Sequence, residues 1–353
     1  MNKNKCALAS LLCVSLIAGL VLTASAGSRN VADTLEQTAT VSALANHFAF
    51  NAAAMAGERL VVAGMRGTIL YSDDQGQQWR QASVPVSVSL TGICFADAAN
   101  GWAVGHRGVI LATRDGGAHW TRQLDGVQVA QSILQVRQDP ERIAEAHRLV
   151  AEGADKPFLT VQCMGDGRVL ALGAYGLAFS TKNAGQSWQP ALALLDGSDS
   201  QHLNAVQVLG GRVYVAGEQG ALLRVNNDLQ GFTRFASPYE GSFFGLLATR
   251  NNSLLAVGLR GHVLRSVDQG SSWQPVTLAS TKSLTAATEL RDGSLLLADE
   301  SGQGWLSRDD GRSFRAVLPE ERFPLIALLA LSDGGSLAVG THGITRFLPS
   351  ALR

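Results

Sequence analysis

The chain has 353 residues, with 29 Lys+Arg against 29 Asp+Glu, 46% hydrophobic and only 16% charged residues. A formal charge of zero excludes the whole-protein basic field of a general nucleic-acid binder, and so apolar a chain with so little charge is not intrinsically disordered. Its 38 glycines lack a three-residue period, which excludes collagen and points to many tight turns and hence to β structure.

At the N-terminus, Lys3 and Lys5 precede an apolar stretch over residues 7–22, and Thr23-Ala24-Ser25-Ala26 follows. A positive start, an apolar middle and a small-x-small ending predict a secretory signal peptide over 1–26; an uncleaved membrane anchor is the alternative. No later apolar run nears the ~18 residues of a membrane-spanning helix. Cleavage removes Cys6 and Cys13 and leaves Cys94 and Cys163, too few for a disulfide scaffold, so the core must be apolar. It also leaves 27 basic against 29 acidic residues, and 24 of those 27 are arginine. The planar guanidinium suits carboxylate recognition, although a GC-rich genome produces the same bias.

The rest of the chain repeats. A phrase of the form apolar-Gly-x-x-Gly-x-apolar places its first glycine at positions 64, 105, 173, 217, 258 and 340, with Asp299 at the equivalent point of one degraded copy. The steps are 41, 68, 44, 41, 41 and 41 residues, the period of a four-stranded propeller blade with one insertion. A second phrase, Ser-x-Asp-x-Gly-x-x-Trp, follows most copies. Asp74 with Trp79 and Asp268 with Trp273 carry it in full. Asp115 with Trp120, Asn183 with Trp188, and Asp309 with Phe314 carry close variants, and the fourth copy keeps only Asn227 and Phe232. These are Asp-boxes of the bacterial neuraminidase type. Their role is structural: a side-chain oxygen caps turn N–H groups, glycine accepts positive φ, and the aromatic covers the hairpin.

The grammar predicts an all-β, seven-bladed β-propeller over residues 44–353. In blade 2 the strands fall at 90–95, 101–105, 109–113 and 120–123. The chain ends after the third strand of blade 7, so residues 27–43 are expected to supply the closing outer strand, around 35–41. The insertion, 124–158, separates blades 2 and 3. There Asp139-Pro140-Glu141 reads as a helix start, Ile143, Ala146, Leu149 and Val150 form one apolar stripe, and Gly153 ends the helix. Cys94 and Cys163 fall in neighbouring inner strands, where a spacing beyond the ~7 Å that a disulfide tolerates favours two buried free thiols.

Topology sends the Asp-boxes to one face and the Gly-x-x-Gly turns to the other. The second middle residue of those turns reads Arg66, Arg107, Tyr175, Gln219, Arg260, Ser301 and His342. This ring is the candidate binding site, with simple solvation of exposed arginines as the alternative. Catalysis has weaker support. A sialidase-type reaction needs an arginine cluster, a Tyr nucleophile with a Glu base, and an acid; Tyr239-Glu240 lies on the right face but in one loop. The histidines show no metal-ligand spacing, and no phosphate loop or nucleophile elbow occurs, so neither a metal nor a cofactor is expected.

Residues 60–81, together with 101–123, resemble the photosystem II stability/assembly factor-like propellers, over about 43–347. The resemblance implies an exported, non-enzymatic factor that binds a membrane protein through an arginine patch, here Arg66, Arg107 and Arg260. It implies a thylakoid lumen location in a photosynthetic host and a periplasmic one elsewhere, with an envelope membrane protein as client. The degraded fourth and sixth blades, and the Tyr, Gln, Ser and His in the ring, depart from the family pattern. An extracytoplasmic carbohydrate binder and a cryptic hydrolase are the alternatives.

Overall fold

Seven antiparallel sheets follow the seven copies of the repeat in a computed structural model that describes residues 33–191, 200–226, 229 and 231–353. The expected signal peptide and Asn227 lie outside the described residues. Blade 1 runs Phe50–Ala56, Arg59–Gly64, Ile69–Ser72 and Arg80–Gln81; blade 2 runs Leu90–Phe95, Gly101–Gly105, Ile110–Thr113 and Thr121–Leu124. The inner strands of blades 3 to 7 are Phe158–Gly165, Leu203–Leu209, Phe243–Ala248, Leu284–Glu289 and Leu325–Ala330. Each blade is a meander in which every strand pairs with the next in sequence.

The second strands explain why alternation is faint in the sequence. Gly101–Gly105, Leu254–Gly258 and Ser336–Gly340 are buried at every position, because both faces of each blade pack against a neighbouring blade. Leu255 and Val257 of blade 5, for example, share one apolar cluster with Leu295, Leu297 and Trp305 of blade 6. The glycine that ends six of the seven second strands is needed for close approach. A Cβ on Gly105 would stand 2.3 Å from the Ser89 carbonyl oxygen, and one on Gly340 would stand 2.0 Å from that of Pro324.

Blade 7 has three strands, Leu325–Ala330, Ser336–Gly340 and Gly343–Phe347. Segment 35–41 does not supply the fourth, contrary to the expectation from topology. Leu35 and Ala39 pack beside Val84 and Val86, between blades 1 and 2. The Ala39 N–H donates to Val84 O (3.0 Å), and the Ser87 N–H donates to Thr34 O (2.8 Å). Residues four apart also share one face of a strand, so the bonds to Val84 and Ser87, and not the spacing, place the segment in this seam. At the last strand of blade 7, the Glu320 N–H donates to Arg346 O at 2.8 Å.

The insertion holds two helices rather than one: α1, Gly126–Val136, and α2, Pro140–Glu152. Helix α2 starts and stops as its sequence predicts, with Asp139 accepting from the Glu141 and Arg142 N–H groups and Gly153 at φ 78°. Helix α1 starts in a capping box: Asp125 accepts from Val127 and Gln128 N–H, and the Gln128 side chain accepts from Asp125 N–H. The signal Asp-x-x-Gln was present, but Gly126 obscured it. Here glycine serves contact, since a Cβ at 126 would meet Arg107 O at 2.8 Å and Ala154 Cα at 2.7 Å.

Cys94 and Cys163 form a disulfide with a Cα–Cα distance of 5.8 Å, which corrects the expectation of free thiols. Inner strands converge near the propeller axis. Gly92 lets blade 3 approach until a Cβ there would lie 3.1 Å from Thr160 Cα. Thr91 Oγ1 donates to Phe158 O at 2.7 Å, holding the same pair of strands in register.

Candidate interaction face

The face that carries the hairpins between third and outer strands is closed on itself. Ser72 Oγ accepts from Gly76 N–H (2.8 Å) and donates to Asp74 Oδ1 (2.7 Å), which also accepts from Gln78 N–H (2.9 Å). Thr113 with Asp115, Ser266 with Asp268, and Ser307 with Asp309 repeat the pattern, and Asn183 accepts from Thr181 and Ser187 in the same way. Partial burial pushes the Asp115 carboxyl upward, but donation from the His119 N–H and ring and from Thr113 wins, and holds it at about 2. Asp309 is likewise held at about 2: burial opposes, while Ser313, Ser307 and the Arg312 N–H prevail. The aromatics close the turns: Trp120 is buried and donates Nε1–H to Gly117 O at 2.9 Å, and Trp188 donates to Gln123 Oε1 at 3.1 Å. Trp79 and Phe314 pack against interblade clusters, and Trp273 is buried within one.

The opposite face, which we call the upper face, carries the turns between second and third strands. Arg66, Arg107, Tyr175, Gln219 and Arg260 sit there at φ 54°, 61°, 55°, 52° and 56°, a left-handed conformation that few side-chain-bearing residues adopt. Gln75, Ala184, Gln269 and Asp310 adopt it in the other face's hairpins, so the strain belongs to the turns and does not mark a site. Ser301 and His342 are not among the left-handed residues. In the sixth blade buried Asp299 replaces the glycine, and its carboxylate accepts from Ser301 N–H, Ser301 Oγ, Gln303 N–H and Trp305 Nε1–H.

The seven ring positions differ in what their side chains meet. Arg66 and Arg260 are exposed. Arg107 is committed: its Nη2 lies 2.8 Å from Asp33 Oδ2. Glu36, in the same N-terminal segment, pairs with Arg122 Nη2 at 2.9 Å. Gln219 accepts from Gln201 Nε2 at 3.2 Å. Three of the turns, those of Tyr175, Arg260 and His342, are flanked by rings from the connection that enters the next blade or the same one. Tyr175 lies 4.9 Å from His202, Tyr239 stacks on His262 at 3.9 Å, and Phe323 lies 5.7 Å from His342. His202, Tyr239 and Phe323 are contributors that repeat counting alone misses, because connections between blades vary in length and carry no phrase.

Tyr239 and Glu240 do not form a nucleophile–base pair among the described hydrogen bonds. The Tyr239 hydroxyl donates to Leu259 O at 3.1 Å, and burial raises its pKa against the opposing pull of Arg260. Among the described residues no cluster of three His, Cys, Asp or Glu gathers as a metal site. The insertion rises on the upper face, where α1 lies against the His106–Gly108 turn and the outer strand of blade 3. Between the helices and the Tyr175 turn lies a cleft of about 760 Å³, lined by Ile133, Leu149, Lys156, Tyr175 and Leu177 among others.

Residues 71–137, spanning the end of blade 1, all of blade 2 and α1, match the sequence model of the photosynthesis system II assembly factor YCF48 family. The chain is 23% identical over 291 residues to the photosystem II stability/assembly factor HCF136, chloroplastic, of Arabidopsis thaliana, covering 80% of this chain and 60% of that protein. In sequence the chain resembles the photosystem II assembly factor propellers. The photosystem II assembly protein Ycf48 of a Synechococcus strain is 28% identical over 131 residues, 31% of this chain and 39% of that one. The chain therefore spans less than two thirds of the length of these curated relatives. Among solved structures, YCF48 bound to a D1 peptide superposes with TM-score 0.64 at 14% identity, covering 88% of this chain and 96% of that one. YCF48 from Cyanidioschyzon merolae gives 0.62 at 14% identity, covering 89% and 99%. The WD40 propeller of Doa1 gives 0.60 at 11% identity, covering 89% and 95%, so the likeness of shape concerns the fold.

Proposed function

We propose that this propeller is an exported, non-enzymatic assembly or stability factor that holds an acidic or carboxylate-bearing segment of a membrane protein on its upper face. One observation carries the reading: a ring arginine, Arg107, already engages a carboxylate, Asp33 at 2.8 Å, while Arg66 and Arg260 at equivalent turns remain exposed. A guanidinium offers two parallel donors to a carboxylate, so a ring of them selects acidic segments over neutral ones. The relatives support the same direction, being photosystem II assembly factors, one of them solved with a D1 peptide. The client is a photosystem II-type segment in a photosynthetic host and another envelope membrane protein elsewhere, met in the lumen or the periplasm respectively.

The central channel, of about 620 Å³, is lined by inner-strand residues, among them Asn51, Thr91, Asn204 and Thr285. The test is affinity capture from envelope extract with wild type beside Arg66→Glu/Arg260→Glu. A membrane protein retained by wild type and lost by the variant supports the reading; an identical captured set for both removes the arginine ring from it.

A further inference from the structure

We infer that the N-terminal segment 33–37 is a built-in stand-in for the client, seated on an acidic-segment site that includes ring residue Arg107. A client must displace it to reach that arginine. This rests on the scaffold reading above and adds a restraint to the same face.

The segment belongs to no blade, since no residue from 33 to 44 pairs in a sheet. It is seated by contacts of three kinds. Leu35 is buried and shares an apolar cluster with Val84, Val86 and Val88 of the connection that enters blade 2. The Thr34 carbonyl accepts from Ser87 N–H at 2.8 Å, and the Leu35 carbonyl accepts from Arg122 Nη1 at 2.8 Å. Two carboxylates flank the leucine: Asp33 Oδ2 lies 2.8 Å from Arg107 Nη2, and Glu36 Oε1 lies 2.9 Å from Arg122 Nη2. An apolar anchor between two carboxylates, bonded also through its backbone carbonyls, is how an arginine pair reads an acidic peptide.

The segment changes the charge that blade 2 offers. Among the described residues, one further carboxylate lies within ion-pair distance of these arginines: Asp125 Oδ2, 3.9 Å from Arg122 Nε. The other oxygen of Asp125 caps α1. With the segment in place, two arginines meet three carboxylates; with it displaced, they meet one. Arg66 and Arg260, at the equivalent turns of blades 1 and 5, are exposed. The segment therefore withholds one of the three ring arginines from any other acidic partner.

Its hold is exchangeable. Asp33 meets a single guanidinium nitrogen, and the buried Arg107 Nε has no hydrogen-bond partner among the described residues. A carboxylate that makes two parallel bonds is held more firmly. The Asp33 and Glu36 side chains are 47% and 68% exposed, and ion pairs so open to water are individually weak. What favours the segment is its tether, which keeps its effective concentration high. A client with the same pattern and a fuller grip on Arg107 takes its place.

The test titrates a fluorescently labelled peptide that copies residues 33–42, Asp-Thr-Leu-Glu-Gln-Thr-Ala-Thr-Val-Ser, into the chain 27–353. Leu35→Ser, which changes no charge, should bind the peptide about tenfold more tightly than wild type, because apparent affinity scales with the fraction of molecules whose site is open. Asp33→Asn/Glu36→Gln, on exposed side chains that leave folding intact, should give a smaller gain in the same direction. Adding Arg107→Glu/Arg122→Glu to either should cancel the gain. A nitroxide on Thr38→Cys should gain mobility when the peptide is added to otherwise wild-type protein. Equal affinity of wild type and both segment variants, or a gain that survives Arg107→Glu/Arg122→Glu, overturns the stand-in. Binding that is then lost in Arg66→Glu/Arg260→Glu leaves the scaffold reading standing. A gain with no effect of Arg66→Glu/Arg260→Glu supports the stand-in and removes those two arginines from the reading. Absence of peptide binding by every variant overturns both.

Discussion

The two faces of the propeller are built from turns of similar backbone shape, and they dispose of their polar groups in opposite ways. On the hairpin face, Asp74, Asp115, Asp268 and Asp309 turn inward and accept from the N–H groups of their own loops. On the upper face, Arg66 and Arg260, at φ 54° and 56°, are exposed to solvent. Repetition alone marks both sets equally. What separates a structural residue from a candidate binding residue is whether its hydrogen-bonding capacity is used within the repeat. Arg107 is the intermediate case, satisfied by Asp33 from outside the repeat.

Four experiments break or sharpen this contrast, and the largest effect expected belongs to neither face. Cys94→Ser/Cys163→Ser opens a crosslink between residues 69 apart, which should lower unfolding free energy by about 4 kcal/mol in denaturant titration. An unchanged midpoint would show that the inner strands hold the insertion unaided. Next, Asp115→Ala and Asp309→Ala should each destabilise by about 1 kcal/mol, because turn N–H groups lose their acceptor.

The same carboxylates set an acid limit. Their folded pKa values, about 2 for Asp115 and Asp309, lie below the ordinary value of about 3.9. Their contribution is therefore complete above about pH 4 and is lost as pH falls toward 2. Both are partly exposed, so screening holds each contribution to about 1 kcal/mol. Thermal melts of wild type and Asp115→Asn/Asp309→Asn should differ at pH 7 and converge near pH 2; a constant gap across that range would contradict the assignment. The smallest stability effect belongs to the upper face. Arg66→Glu and Arg260→Glu should each shift stability by under about 0.5 kcal/mol while removing acidic-segment binding. A large loss of stability there would mean that these arginines are structural after all.

Much of the architecture is legible in the sequence because each blade is a local unit. The 41-residue steps, the paired glycines and the Ser-x-Asp-x-Gly-x-x-Trp phrase are all satisfied within a single meander. Helix α2 was legible for the same reason, with Asp139, Pro140 and Gly153 acting on their own backbone. Helix α1 was not, since Gly126 reads as a breaker until Arg107 O is seen beside it. The ring was legible as a set of positions, but its partners His202, Tyr239 and Phe323 reach it from connections with no repeat.

The sequence by itself determined the number of blades, the strands, the hairpin chemistry and the face to which each turn projects, because these depend on contacts within about 40 residues of chain. Only the tertiary structure decided the rest. It placed segment 35–41 in the seam between blades 1 and 2, brought Cys94 to Cys163, paired Arg107 with Asp33, and opened a cleft beside Tyr175. Each of these depends on how closely blades approach one another, a distance set by packing around the axis and written in no single repeat.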